Sequence, residues 1–311
     1  MAFDLTPLQK EVIAGLATGS ITTLVVHPLD LVKIRLQLLA TNANNLGYSY
    51  VIGSILKGGQ GKSLQIVKEA YRGLGINWFG NATAWALYFG LYRVSKDLAY
   101  RLYTPGAEAG QDELRKDAKL TPLMYLSSGA ISGALTSILT NPIWVIKTRI
   151  MSTNSREKSS YKSTLDGIQK LLREEGARGL WRGLIPSLFG VSQGAIYFMM
   201  YDTLKHRFSS LRHYEGKVNQ DKNLKITETF VISSISKVVS VTAVYPFQLL
   251  KSNLQSFEAQ RKQYTFSKLI RSIFEAEGTM GFYKGLSANL LRAIPSTCIT
   301  FCIYENLKNC I

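Results

Sequence analysis

Apolar residues in this chain gather into six long runs, at about 11–39, 77–99, 122–150, 183–205, 227–254 and 286–307. Each is near or above the ~20 residues a helix needs to cross a bilayer. The runs are not uniformly apolar: in SSISKVVSVTAVYP (233–246) serines, a lysine and a threonine are set among the valines. Mean hydropathy is accordingly close to zero. Six spans with polar faces predict an all-α membrane protein with a wet interior, which suits a transporter or channel better than an anchor. Six is an even number, so both termini should lie on one side.

The runs repeat. HPLDLVKIRLQ at Pro28, NPIWVIKTRIM at Pro142 and YPFQLLKSNLQ at Pro246 lie 114 and then 104 residues apart. A second phrase follows each: YRGL (71–74), EGARGLWRGL (175–184) and EGTMGFYKGL (277–286). A third closes each unit: LYRVSK (91–96), MYDTLK (200–205) and IYENLK (303–308). Three markers recurring in one order define three similar units, at 8–104, 121–212 and 224–311. Charged linkers near 101–120 and 208–225 join them. Residues 40–70 read as the most irregular connection, without the acidic half of the second phrase, and GGQGKS within it lacks the spacing of a phosphate loop.

These phrases resemble the mitochondrial carrier family over nearly the whole chain. The resemblance implies six transmembrane helices in three pseudo-threefold pairs, each pair joined by a short amphipathic helix on the matrix side. It also implies residence in the mitochondrial inner membrane with both termini toward the intermembrane space. MAFDLTPLQKEV shows no arginine-rich cleavable segment, so targeting is expected to be internal. Trp144, at the acid position of the second phrase, resembles the branch carrying flavin, folate and pyrimidine or pyridine nucleotides, and FAD is the expected solute, transported rather than held as a cofactor. Folate, pyrimidine nucleotides and NAD are the alternatives.

Pro28, Pro142 and Pro246 each remove a backbone donor and should kink their helices toward a common closing point. Two and five residues beyond them lie Asp30 and Lys33, Trp144 and Lys147, Gln248 and Lys251. By resemblance each repeat's acid position meets the next repeat's base. That gives one ion pair, Asp30 with Lys147, a cation-π contact of Trp144 with Lys251, and a hydrogen bond of Gln248 with Lys33. Gln37 and Gln255 match the bracing glutamines of such a matrix gate, and Met151 stands at the third place. A cytoplasmic gate is implied at the even helix ends: Asp202 with Lys308, Glu305 with Lys96, and Arg93 opposing Lys205.

The middles of the even helices should supply the solute site. Counting back twelve residues from each terminal tyrosine reaches Gly80, Phe189 and Arg292, with Asn81 and Gly190 beside the first two. Arg292 offers a planar fork for phosphate oxygens at membrane depth. Lys237, mid-helix, is a second candidate for phosphate. Asn77, Asn81 and Gln193 could hydrogen-bond a heterocycle, and Trp85, Phe189 or Tyr197 could stack on it.

There are 37 basic and 21 acidic residues, net +16. The cations are spread over all loops with no basic arm, so nucleic acid is not the expected partner. Orientation by positive loops, contact with anionic phospholipid such as cardiolipin, and attraction of a small anionic nucleotide fit better. No dinucleotide fold signature, Walker lysine or paired-histidine metal motif points to an enzyme. The three late cysteines do not suggest a disulfide framework. One chain holds all three units, so a monomer is expected.

Overall fold

The computed structural model describes residues 7–39, 47–58, 62–103, 120–154, 161, 163–214, 226–293, 295–296 and 299. All regular structure among the described residues is helical. The first unit holds α1 (Pro7–Gln37), α2 (Tyr48–Gly58), α3 (Ser63–Ala70) and α4 (Leu74–Tyr103). The second holds α5 (Pro122–Ser152), α6 (Thr164–Glu175), α7 (Leu184–Gly190) and α8 (Ser192–Tyr214). The third holds α9 (Ile226–Gln255), α10 (Phe257–Arg261), α11 (Phe266–Glu277) and a helical stretch at 286–293.

α6 and α11 are the short amphipathic helices. Ser163 and Thr265 cap their N-termini through side-chain oxygens, which accept from the backbone N–H of Asp166 and Lys268. One stripe of each is buried at i,i+4 spacing, Gly167 with Leu171 and Leu269 with Ile273. Gly176 and Gly278, at φ 67° and 66°, end them. The first unit departs from this pattern, because 48–58 and 63–70 fold as helices where the sequence reads as irregular linker.

α1, α5 and α9 each continue through their proline as one element. Their C-terminal ends meet. Arg35 on α1 donates to the Met151 carbonyl of α5 at 3.1 Å, Thr148 on α5 donates to Gln255 of α9 at 3.0 Å, and Asn253 on α9 donates to the Gln37 carbonyl of α1 at 3.1 Å. The apolar core sits at this closed end, where Leu31, Val51 and Met151 pack together, Leu249 and Leu269 in a second cluster, and Ile146 and Tyr161 in a third.

Gly73, Gly183 and Gly285 repeat for a geometric reason. All three have positive φ, 82°, 71° and 80°. A Cβ on each would press on the next repeat's proline helix, 3.0 Å from Met151 for Gly73, 3.0 Å from the Lys251 carbonyl oxygen for Gly183 and 3.3 Å from Gln37 for Gly285, where the Tyr245 hydroxyl of its own unit is 3.1 Å away. Only glycine combines that backbone with that approach.

Among the described residues three stretches are long and apolar enough to cross a membrane, Leu123–Ser152, Ala177–Phe208 and Glu228–Gln255. Large apolar side chains on the long helices are exposed, Leu24, Val25, Leu139 and Val238 among them.

Candidate functional site

Two arginines lock the closed end. Seven residues after Pro28, Arg35 is 7% exposed and reaches Met151 O, Asn154 Oδ1 at 2.7 Å and the buried Glu69 at 3.6 Å. Seven after Pro142, Arg149 is fully buried. It donates to Gln255 O and Tyr161 Oη, lies 5.0 Å from the Phe257 ring centre, and pairs with Glu175, which also binds Arg182. The third matching place holds Asn253, and there Glu277 pairs with Lys284 at 2.8 Å. Sequence reasoning passed over these hubs, although KIRLQ and KTRIM against KSNLQ carry the signal. Glu69 supplies the acid that the first repeat's second phrase lacks.

One layer inward lie the gate residues. Asp30 does not pair with Lys147. Its Oδ1 accepts from Arg292 Nη1 at 2.7 Å, and its Oδ2 accepts from Asn77 Nδ2 at 3.3 Å. Arg292 can deliver a directional N–H from the last helix, whereas Lys147 stands with its ammonium 4.6 Å from the Trp144 ring centre. Lys251 lies 5.8 Å from the same ring and donates to Ser187 Oγ at 2.9 Å. Gln248 does not meet Lys33. Its amide donates to Gln193 at 3.0 Å and accepts from Asn289 at 3.4 Å, because two neutral amides satisfy both of its ends. Lys33 lies within electrostatic range of Arg292, Asp30, Lys147 and Lys251. Asp30 itself is within electrostatic range of three cations, Arg292, Lys147 and Lys33.

The glutamines bridge helices. Gln37 donates to Tyr245 Oη at 3.1 Å and accepts from Ser252 at 3.0 Å, and the Tyr245 hydroxyl donates in turn to Lys284 O at 2.7 Å. Gln255 links Thr148, Asn141 and the Arg182 carbonyl. Met151 is fully buried in the core.

The residues read as solute contacts divide. Lys237 is exposed on α9 and within electrostatic range of Arg292. Trp85 is 61% exposed and stacks on Phe89, and Phe189 is 51% exposed and stacks on Phe247 at 4.8 Å. Tyr197 stacks on Tyr201 at 6.3 Å, and Gly190 faces open space. Asn81 donates to Asn77. Asn77 itself is fully buried, its amide shared between Asp30 and His27, so it orients the gate acid. Gly80 is buried too: a Cβ there would lie 2.9 Å from Ile143, which makes it a helix-packing position. Gln193 serves Gln248.

At the opposite ends of the even helices, Lys96 lies over the Tyr92 and Tyr125 rings at 5.5 and 5.8 Å. Arg93, Asp202 and Lys205 are exposed. Glu305 and Lys308 lie outside the described residues.

A cavity of about 960 Å³ opens between α6 and the α10–α11 joint, lined in part by Lys170, Arg178, Arg261 and Lys268. None of the expected solute contacts lines it. Tyr161 borders it, and burial pushes that phenol up against the pull of Arg149.

Comparison with known proteins gives a consistent result. The family model described as mitochondrial carrier protein matches residues 5–102, 118–211 and 222–311. The chain is 56% identical over 306 residues to the mitochondrial FAD carrier protein of Saccharomyces cerevisiae, covering 98% of this chain and 97% of that one. It is 33% identical to a chloroplastic folate transporter of Arabidopsis thaliana, over 94% of this chain and 92% of the relative. It is 31% identical to a mitochondrial nicotinamide adenine dinucleotide transporter of Saccharomyces cerevisiae, over 98% and 78%.

Proposed function

Because this chain belongs to the mitochondrial carrier family, we propose that it moves FAD, or a closely related flavin nucleotide, across the mitochondrial inner membrane by alternating access. The observation that carries this reading is 56% identity, over almost the full length of both chains, to a protein named for FAD. The site chemistry agrees with it. Arg292 and Lys237 supply two cations for a pyrophosphate, and Trp85, Phe189 and Tyr197 supply flat surfaces for ring systems.

The mechanism needs no bond chemistry. Six spans enclose the solute: α1, the α4 region, the three apolar stretches above, and a sixth that begins with the helical stretch at 286–293. The proline helices close the matrix end, while Lys96, Asp202, Lys205, Glu305 and Lys308 close the other. Rocking of the three units exposes the central site to each side in turn. The working unit is a monomer with both termini in the intermembrane space, in contact with anionic phospholipid such as cardiolipin.

The test is uptake into liposomes holding the purified protein, with labelled FAD competed in turn by FMN, folate, NAD, ATP and UTP. FAD and FMN should compete best, and Arg292→Ala and Lys237→Ala should abolish saturable uptake. The relatives named for folate and NAD make those two compounds the decisive alternatives. Preference for either would reassign the solute.

A further inference from the structure

The cavity between α6 and the α10–α11 joint plays no part in the solute path described above. Its volume, about 960 Å³, is large enough for a small-molecule ligand. Five cations and two carboxylates line it. Glu175 is taken up by Arg149 and Arg182, and Glu174 accepts from the neutral Gln260 amide at 3.1 Å. Arg178, Arg261 and Lys268 are exposed and have no ion pair among the described residues, so the cavity keeps an excess of positive charge. Arg178 follows α6 in the second unit, whereas Arg261 and Lys268 belong to the third. Cations of two units thus line one open space. Gln263 lines it too, and it is the only non-glycine residue with positive φ, 48°, among the described residues. Its N–H closes the end of α10 on the Gln260 carbonyl at 3.1 Å, a place that glycine fills without strain. A glutamine there accepts a strained backbone and brings a long amide to the cavity.

We propose that this cavity binds a water-soluble oligophosphate, an anion of two or more linked phosphates, which bridges the second and third units and slows transport from the matrix face. Linked phosphates carry several charges on several oxygens, so one molecule can engage cations of both units at once, with the arginines donating through their forks. An anion with a single charged group reaches one set only. The lining also selects against a lipid: among the described residues it holds no aliphatic side chain, and its Phe257 ring is already covered by Tyr161 and Arg149. Acyl chains find no wall there. If the units rock against one another, a ligand that joins them favours the arrangement in which both cation sets are in reach, and holds the closed end shut by that difference in affinity. The effect on transport rests on the carrier reading, whereas the binding does not.

The probe is inorganic tripolyphosphate, titrated calorimetrically into the purified full-length protein. Saturable binding is expected, tighter than that of orthophosphate, and Arg178→Gln/Arg261→Gln should weaken it by about tenfold. Both arginines are exposed, so the unfolding temperature of that variant should stay near that of the unsubstituted protein. Lys262→Gln removes a neighbouring cation that does not line the cavity and should leave binding unchanged, as should Arg292→Ala in the central site. Gln263→Gly should raise the unfolding temperature yet weaken binding, a pair of opposite signs that a merely structural role does not produce. An equal loss in Lys262→Gln would mean diffuse attraction by net charge, and a loss in Arg292→Ala would put the anion in the central site. Either result overturns the proposal, as does orthophosphate binding equally tightly. Displacement of tripolyphosphate by cardiolipin in mixed micelles would assign the cavity to a lipid head group, and overturns it too. In liposomes, tripolyphosphate on both sides should lower the turnover of labelled FAD without raising its KM, and the double variant should escape this. A raised KM with unchanged turnover would overturn the bridging role. If tripolyphosphate binds as described while FAD is not transported, the site stands and the flavin assignment falls.

Discussion

Arg149 and Glu175 form an ion pair that water hardly touches, with side chains 0% and 6% exposed. It fastens the short helix α6 to the end of α5, and through the Gln255 carbonyl it reaches the next repeat. Burying two charges is expensive, and removing one leaves the other without compensation. Glu175→Gln should therefore lower stability by about 3–5 kcal/mol, seen as an early thermal unfolding transition of the purified protein. Glu275→Gln, whose partner Arg271 is solvent-exposed, should leave that transition almost unmoved.

Gly183 should resist even the smallest side chain. Its φ of 71° disfavours any Cβ, and the obstructing atom, Lys251 O, is backbone that cannot swing away. Gly183→Ala should cost at least about 1–2 kcal/mol from the left-handed backbone alone. Gly190→Ala, with open space around it, is the comparison, and thermal unfolding of the two variants measures the difference.

The gate is unequal around its ring, and substitutions should report this. Asp30→Asn removes a carboxylate that lies within electrostatic range of Arg292, Lys147 and Lys33, whereas Gln248→Ala removes neutral amide bonds worth about 0.5–1.5 kcal/mol each. Turnover in liposomes should fall by about tenfold or more for Asp30→Asn and by a few-fold for Gln248→Ala, in line with those energies. Equal, near-normal rates would remove Asp30 from the gate.

Trp144 occupies an acid's place and faces two ammonium groups, at 4.6 and 5.8 Å. Trp144→Phe keeps an aromatic face and should retain most transport. Trp144→Leu should lose a contact worth about 0.5–2 kcal/mol and transport poorly. Initial rates for both variants decide it.

Much of this arrangement is legible in the sequence, because threefold repetition turns single residues into positions. The prolines mark the helices that converge, and the recurring glycines mark where each unit presses on the next. Asp30's partner was not legible: three cations compete for it, and the choice of Arg292 over Lys147 depends on how the last helix approaches α1. Asn77 and Gly80 share a helix turn with cavity candidates, yet α5 and His27 cover them, which only packing reveals. Glu69 escapes the pattern because it stands four residues before its glycine, where Glu175 and Glu277 stand eight before theirs. Tertiary proximity to Arg35 lets it play the same part.

The central claim is tested most directly by the initial rate of labelled FAD entry into liposomes, with and without the purified protein, as external FAD is raised. The account predicts protein-dependent, saturable entry that Arg292→Ala abolishes. FAD entry no faster than into protein-free liposomes, in a preparation that transports NAD or folate, would contradict it.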